Sequence, residues 1–260
     1  MTRVPSWLDA PWVPLDTETT GVDVENDLIV QAALAFPSEG TATVKYLNWD
    51  VDIPEGAAAV HGLTRERLAE VGQDPAAVLV AVVLDLVQAL QSGAVLVGMN
   101  LVFDLTMLDR NCRRLGLPTL SDHVDIAPVV DAFVLDKMVD PYRKGKRNLT
   151  ALCEHYRVTI GQAHDALADA TAAARVAYRI GRVFPQMGAL DPLVLHSLQA
   201  AAKPRQDQNL ARYLKGQGRS TDGLDGSWPI RPLPTPALAV PDASHPDGTT
   251  PSLFEEGPPW

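Results

Sequence analysis

Short apolar runs separated by turn residues dominate the first fifty positions of this chain. Three runs predict consecutive β-strands at Trp12–Thr17, Leu28–Phe36 and Ala42–Trp49, because Gly, Asn, Asp and Pro interrupt the pattern between them. Farther along, Pro75–Gln91 has the apolar spacing of an amphipathic helix, with Pro where a missing N–H costs nothing. Ala94–Met99 is short and largely apolar, which indicates a buried strand.

Helices dominate the pattern after that strand. Asn100 is predicted to cap a helix over 101–115, which Gly116 ends. Additional helices are predicted at roughly 127–138, 148–156, 166–182 and 191–215. Three strands in sequence, followed by strands and helices in alternation, predict an α/β fold with a mixed sheet flanked by helices.

The last forty residues differ in composition from the rest. Nine of the 21 prolines and six acidic residues fall in 221–260, against Arg231 as the single base. Such a segment buries too little apolar surface to offset the entropy of ordering, so we predict a Pro-rich acidic tail that is largely extended or disordered. Trp228 and Trp260 are the residues of this tail that we expect to dock on the body or on a partner. The chain thus divides into a main domain (1–185), a helical appendix (186–220) and the tail.

Composition and cysteine use indicate a cytoplasmic protein without a membrane partner. Hydrophobic residues make up 46% and charged residues 21% of the chain, which is usual for a soluble globular protein. The apolar run Ala76–Leu84 is far too short to span a bilayer, and residues 1–10 show no signal-peptide pattern. Cys112 and Cys153 stand outside any Cys-x-x-Cys motif, as suits a reducing compartment.

The charge distribution limits the function classes. A net charge of −10 argues against a large, non-specific surface for nucleic acid, but it does not exclude an enzyme that acts on nucleic acid. Residues 143–147 carry four positive charges in five positions. This cluster is either a guide for phosphates or a solvated basic loop.

Asp16 and Glu18 carry the first candidate chemistry. Side chains two apart in a strand project from the same face, so these two carboxylates lie side by side at the end of an apolar run. Their repulsion is costly unless a cation lies between them, and carboxylate oxygens suit Mg²⁺ or Mn²⁺.

Further carboxylates and a histidine follow at helix starts. Asp104 comes shortly after a predicted strand, where open α/β sheets commonly place site residues, although an acid there can simply compensate the helix dipole. Its neighbour Phe103 is either a core residue or a base-stacking one. His164 precedes a helix that carries Asp169 in its first turns, and a histidine in that position is either a surface residue or a general base for a water held on metal.

These residues together resemble the three motifs of the DEDDh family, the 3′–5′ exonucleases similar to the bacterial proofreading epsilon subunit. The matching segments are Asp16-x-Glu18, Asn100-x-x-Phe-Asp104, His164-x4-Asp169, Val60-His-Gly-Leu-Thr64, and Asp131 ahead of Lys144-x-x-Arg147-x-Leu149. They occur in the family's order over about residues 10–182. The resemblance implies a ribonuclease-H-like exonuclease fold with a five-stranded mixed sheet.

The resemblance also implies a metal-dependent reaction and a role for each site residue. Two divalent ions, Mg²⁺ or Mn²⁺, would support phosphodiester hydrolysis. Asp16 would bridge both ions, Glu18 and Asp169 would help hold the first, and Asp104 would reach the second. His164 would accept the proton of the attacking water. The implied substrate-binding residues are Thr17, Glu18, Glu55, His61, Leu63 and Phe103.

The expected substrate is a single-stranded or frayed 3′ end of DNA, with a role in replication proofreading or repair. A 3′-end-trimming ribonuclease of the same family shares all five catalytic residues, so this alternative stays open. His61, for its part, either contacts the nucleotide or fixes the loop. The third alternative is a silent accessory module bound to a polymerase or sliding clamp in trans. Leu253 and Phe254 resemble the end of a clamp-binding peptide, although Thr250 departs from its starting Gln.

Overall fold

Five strands form one mixed sheet in the computed structural model, which describes residues 5–161 and 165–234. The strands are β1 (Trp12–Thr19), β2 (Ile29–Phe36), β3 (Thr41–Tyr46), β4 (Val95–Gly98) and β5 (Val129–Asp131). Their order across the sheet is β3-β2-β1-β4-β5; β2 is antiparallel to both β1 and β3, and β4 is parallel to both β1 and β5. The predicted five-stranded mixed sheet is thus confirmed.

Helices cover both faces of the sheet. Those in the described part of the chain are α1 (Glu55–His61), α2 (Arg65–Val71), α3 (Pro75–Gln91), α4 (Val102–Arg114), α5 (Ala132–Val139), α6 (Leu149–Tyr156), α7 (Ala166–Val183), α8 (Pro185–Gly188) and α9 (Pro192–Lys215). None of them is long and apolar enough to cross a membrane. The predicted helix at Pro75–Gln91 is confirmed, and α1, α2 and α8 were not predicted because each spans only one or two turns.

The alternation of side chains along the strands builds two cores. Val13, Leu15 and Leu96 point to the face covered by α3 and α4. Val95 and Val97 point to the opposite face, where α7 packs. The central strands β1 and β4 are therefore buried on both faces, and residues at the carboxyl end of β1 are presented alternately to α4 and α7.

Two sequence expectations near the carboxyl ends of the strands are wrong. Asn100 does not cap α4: it adopts a left-handed conformation with φ +62, and the helix begins only at Val102. The helix predicted over 127–138 begins at Ala132, because Val129–Asp131 pairs with β4 as the edge strand β5. A three-residue apolar run is too short for periodicity to separate strand from helix.

Helix α9 and the residues after it lie against the edge of the sheet. Gln199 on α9 accepts a hydrogen bond from the Asp131 N–H (2.9 Å) and donates one to the Val129 carbonyl (3.0 Å). Residues 221–234 contain no helix or strand, yet Trp228 packs its indole 4.9 Å from the His196 ring. The docking expected for Trp228 is thus present, whereas Trp260 lies outside the described residues. The boundary at residue 185 stays a prediction.

Candidate active site

Strand β1 presents two carboxylates on one face and a threonine on the other. Asp16 and Glu18 share the face that packs against α7, and Thr17 between them points toward α4. The register between β1 and β2 shifts between Glu18 and Thr19, which marks the end of the regular ladder. The strand therefore delivers Asp16 and Glu18 to the edge of the sheet where α7 begins.

Helix α7 supplies a third carboxylate. Asp165 caps the helix by accepting a hydrogen bond from the Ala168 N–H (3.0 Å), which places Asp169 in the first turns. Oxygen atoms of Asp16, Glu18 and Asp169 lie within 4.8 Å of one another. Three partly buried carboxylates at this spacing offer the hard oxygen ligands that a divalent cation prefers, so these residues fit a Mg²⁺ or Mn²⁺ site.

Asp104 reaches the same region from the opposite side of β1. Its Oδ1 accepts hydrogen bonds from the Thr17 N–H (3.0 Å) and the Thr17 hydroxyl (2.6 Å). Burial raises the pKa of Asp104 to about 7, although these hydrogen bonds favour the charged form. The carboxylate is thus fixed in position and close enough to Asp16 to raise its pKa.

The carboxyl groups of Asp16 and Glu18 also have raised pKa values. Burial, followed by the charges of Asp104, Glu18 and Asp169, raises the pKa of Asp16 well above its usual range. Burial and the charge of Asp169 raise the pKa of Glu18 to about 8. A divalent cation would stabilise the charged forms and displace these protons, so the electrostatics of the cluster support a metal site.

Asp131, matched above only as part of a family segment, supports the geometry of the site. Its fully buried carboxylate accepts hydrogen bonds from the N–H groups of Asn100 (2.9 Å) and Leu101 (3.0 Å), and from that of Phe133 (2.9 Å) at the start of α5. It therefore fixes the turn between β4 and α4, from which Asp104 projects. An acidic residue at the end of an apolar run and directly before a helix is the signal that could have identified it.

The predicted substrate-binding loop is tied to β1. His61 Nδ1 accepts a hydrogen bond from the Leu63 N–H (3.1 Å), so Nε2 carries the proton and donates to the Thr19 carbonyl (3.2 Å). Leu63 is buried with Val30 in a small core beneath the loop. The loop-fixing alternative for His61 is thus supported, and nucleotide contacts of His61 and Leu63 stay predictions.

The remaining predicted residues fall into three groups. Glu55 is exposed at the start of α1, and partly buried Phe103 lines a depression beside α4. Arg143 and Arg147 both bind the buried carboxylate of Asp136, so these two arginines are structural, and Lys144 and Lys146 remain exposed. His164, Leu253 and Phe254 lie outside the described residues, and their predicted roles stay predictions.

Comparison with known proteins agrees with this geometry. The model of the RNase_T exonucleases matches residues 13–177, which include Asp16, Glu18, Asp104 and Asp169. The chain belongs to the RNase_T exonuclease family. The family predicted from the sequence motifs is confirmed.

Relatives within the RNase_T family include much longer proteins. A PolC-type DNA polymerase III of Lacticaseibacillus paracasei is 28% identical over 179 residues, which cover 68% of this chain and 12% of the polymerase. A 3′–5′ exonuclease DinG of Staphylococcus epidermidis is 25% identical over 181 residues, covering 68% of this chain and 19% of that protein. The chain therefore spans less than a fifth of these relatives.

Solved structures of the same fold include exonuclease I. One exonuclease I structure superposes with a TM-score of 0.59 at 19% identity, covering 68% of this chain and 43% of that one. E. coli exonuclease I in complex with a dT13 oligonucleotide gives 0.56 at 19% identity, covering 68% of this chain and 43% of that one. These similarities confirm the ribonuclease-H-like exonuclease fold.

Proposed function

We propose that this protein is a metal-dependent 3′–5′ exonuclease that removes nucleoside monophosphates from the 3′ end of single-stranded or frayed DNA. The observation that carries the proposal is the convergence of Asp16, Glu18 and Asp169 within 4.8 Å, with Asp104 fixed beside them. Four acids from three separate elements have no structural reason to converge, since their mutual repulsion raises the pKa of Asp16.

The cofactor we propose is a pair of divalent ions, Mg²⁺ or Mn²⁺. Asp16, Glu18 and Asp169 would hold one ion, and Asp16 and Asp104 would face the second. When bound, such ions neutralise charge on the phosphate and promote ionisation of the attacking water. The carboxylates supply only oxygen ligands, which suits both ions.

The remaining site residues would position the substrate strand and remove a proton from the attacking water. His164 would accept the proton of the attacking water, a role that suits an imidazole side chain. The Thr17 backbone and Glu18 would contact the terminal 3′ hydroxyl, while Phe103 and the loop with Glu55, His61 and Leu63 would contact the last bases. Attack at phosphorus breaks the bond to the 3′ oxygen of the preceding nucleotide and releases a nucleoside 5′-monophosphate.

The relatives support this substrate and suggest the physiological setting. One solved relative is described as an E. coli exonuclease I–single-stranded DNA complex, and other relatives are DNA polymerases or a 3′–5′ exonuclease. We therefore propose a cytoplasmic role in DNA replication or repair. A polymerase or sliding clamp in trans is the proposed partner, with Leu253 and Phe254 as the candidate clamp contacts.

Digestion of labelled oligonucleotides tests the activity. The substrates are 3′- and 5′-labelled single-stranded DNA and RNA of one sequence, with Mg²⁺, Mn²⁺ or EDTA. We expect stepwise loss from the 3′ end that Asp16→Ala and EDTA abolish, and faster loss from DNA than from RNA. Release from the 5′ end, or metal-independent cleavage, would overturn the proposal, and a faster rate on RNA would assign the enzyme to RNA trimming.

A further inference from the structure

A C-terminal strap, residues 221–234, is docked on the domain although it lies outside the family match at 13–177. Arg110 donates to the Pro232 carbonyl (2.6 Å), and the Arg231 N–H donates to the Thr106 hydroxyl (3.0 Å). Trp228 Nε1 donates to Asp131 Oδ2 at 3.4 Å. Hydrogen bonds therefore hold the strap against α4, the helix that carries Asp104, and against Asp131 at the end of β5. Trp228 also packs on His196 of α9.

A cavity of about 750 Å³ lies between the strap and the body. This volume is within the range of about 300–1,000 Å³ typical of small-molecule sites. Its apolar lining includes Met99, Phe133 and Leu224. Such a lining can accept the face of a nucleobase, and aromatic stacking of this kind is independent of base identity.

Cations outnumber carboxylates around this cavity. Its lining contains five basic residues and two acidic ones, the acids being Asp207 and Asp222. Lys203 is neutralised by Asp207 at 2.5 Å, and Arg147 by the buried Asp136. In the part of the chain that the structure describes, the other three basic residues form no ion pair; these are Lys137, Lys146 and Arg231.

Arg231 packs against Gly223 within the strap. Its guanidinium lies directly against the backbone of Gly223, where an added Cβ would be 2.5 Å from Nη2. Its buried Nε has no hydrogen-bond partner among the described residues. Lys137, which also lines the cavity, lies 4.2 Å above the Phe133 ring, and burial lowers its pKa to about 8. An anion within reach of the Arg231 guanidinium and the Lys137 ammonium would favour the charged lysine.

The cavity begins at the carboxyl end of β4, the strand that pairs with β1. Strand β4 ends at Gly98, and the next two residues, Met99 and Asn100, both line the cavity. Asn100 and Arg231 line both this cavity and the depression that contains Phe103. That depression has four carboxylates and only Arg231 as a cation, so a phosphate is favoured in the cavity rather than in the depression.

We propose that this cavity binds a nucleotide of the substrate strand upstream of the one being removed, with its phosphodiester between Arg231 and Lys137. The proposal rests on the proposed exonuclease function and adds a binding site that the strap completes. In this proposal, a strand whose 3′ end reaches Asp16 would pass Met99 and Asn100 into the cavity.

Oligothymidylates of different length test this site in the full-length chain. In an Asp16→Ala background, which prevents hydrolysis, affinity is measured for dT2, dT8 and thymidine monophosphate at several salt concentrations. Arg231→Gln combined with Lys137→Gln is expected to weaken dT8 binding about tenfold or more, to leave dT2 binding unchanged and to lower the salt slope by about two charges. Arg219→Gln combined with Lys215→Gln, exposed residues that remove the same charge, is the matched control.

Two outcomes would overturn the site, and neither depends on catalysis. Unchanged dT8 affinity in the double variant, with unfolding temperature equal to that of the parent, means that the cavity does not hold the strand. Tight binding of thymidine monophosphate that the double variant loses means that the cavity is a site for free nucleotide. An inactive wild-type protein that still shows the length-dependent binding would disprove the proposed function but not the site.

Discussion

Both hydrogen-bond donors of Thr17, its N–H at 3.0 Å and its hydroxyl at 2.6 Å, are directed at Oδ1 of Asp104. The bond from strand β1 to helix α4 joins residues 87 apart in sequence. Because of this connection, Asp16 and Glu18, which flank Thr17, cannot shift independently of Asp104.

Replacement of Thr17 by Val tests this link. The variant keeps the shape but removes the hydroxyl, so we expect the pKa of Asp104 to rise above its value of about 7. Activity should fall about tenfold at neutral pH, and the acidic limb of the pH–rate profile should move to higher pH. Thr150→Val, on the exposed surface of α6, is the control. An unchanged pH profile would show that the hydroxyl does not tune Asp104.

The stability of the metal-free protein should fall as the pH rises from 5 to 8.5. The pKa of Glu18 is raised to about 8, so the folded state binds more protons than the unfolded state between about 4.5 and 8. The stabilising contribution of the proton is lost as the pH passes the folded-state value. Thermal unfolding in EDTA measures this, and Glu18→Gln should flatten the dependence.

Addition of Mg²⁺ or Mn²⁺ should reverse that trend. The ion competes with protons for the same carboxylates, so the increase in unfolding temperature should be larger at pH 8 than at pH 6, with proton release on binding. Calorimetric titration in two buffers of different ionisation enthalpy counts the protons. A metal-induced stabilisation independent of pH, and equal in Asp16→Asn, would place the ion elsewhere.

Asp131→Asn should destabilise the protein and lower activity together. Oδ1 of Asp131 accepts hydrogen bonds from Asn100 and Phe133, and Oδ2 accepts them from Leu101 and Trp228. In the variant, an amide NH₂ replaces one of these oxygens and meets one of these pairs of donors, with which it cannot form the same hydrogen bonds. We expect a loss of about 1–3 kcal/mol in the free energy of unfolding. Asp125→Asn, at an exposed position, should change it little. Full activity in Asp131→Asn would exclude a positioning role for the residue.

Arg147→Ala should act on stability rather than on substrate binding. Its partner Asp136 is fully buried, and loss of one member of a buried ion pair costs about 3–5 kcal/mol. Arg143 and the Tyr156 hydroxyl also bind Asp136 and will reduce this cost. Lys144→Ala removes an exposed charge of the same cluster and should leave unfolding unchanged. Unchanged unfolding of Arg147→Ala in denaturant titrations, together with weaker oligonucleotide binding, would instead support the phosphate-guiding interpretation of Arg147.

The acidic residues of the site were predictable because each has a local signature. Asp16 and Glu18 follow the two-residue period of a strand, and Asp104 and Asp169 stand at helix starts. Their convergence was inferred from the resemblance, since no local pattern fixes which strand ends are neighbours. Asn100 shows the limit of such rules: Asn is common both at helix caps and in left-handed turns, and here the buried Asp131 selects the turn.

The strap shows what composition alone cannot reveal. A proline-rich acidic segment lacks any periodic pattern, so nothing local indicates that part of it docks. The contacts that hold it join residues about a hundred positions apart, such as Trp228 with Asp131 and Arg231 with Thr106. These contacts involve backbone groups and isolated side chains rather than a repeating set of residues, so no periodic pattern in the sequence indicates them.

Because Pro234 lines the same depression as Phe103, residues 235–260 continue the chain from a point close to Phe103, the neighbour of Asp104. Even a fully extended chain cannot place Phe254 more than about 70 Å from Pro234. A partner bound through Leu253 and Phe254, as proposed above, would therefore be tethered near the site, which would raise its local concentration there.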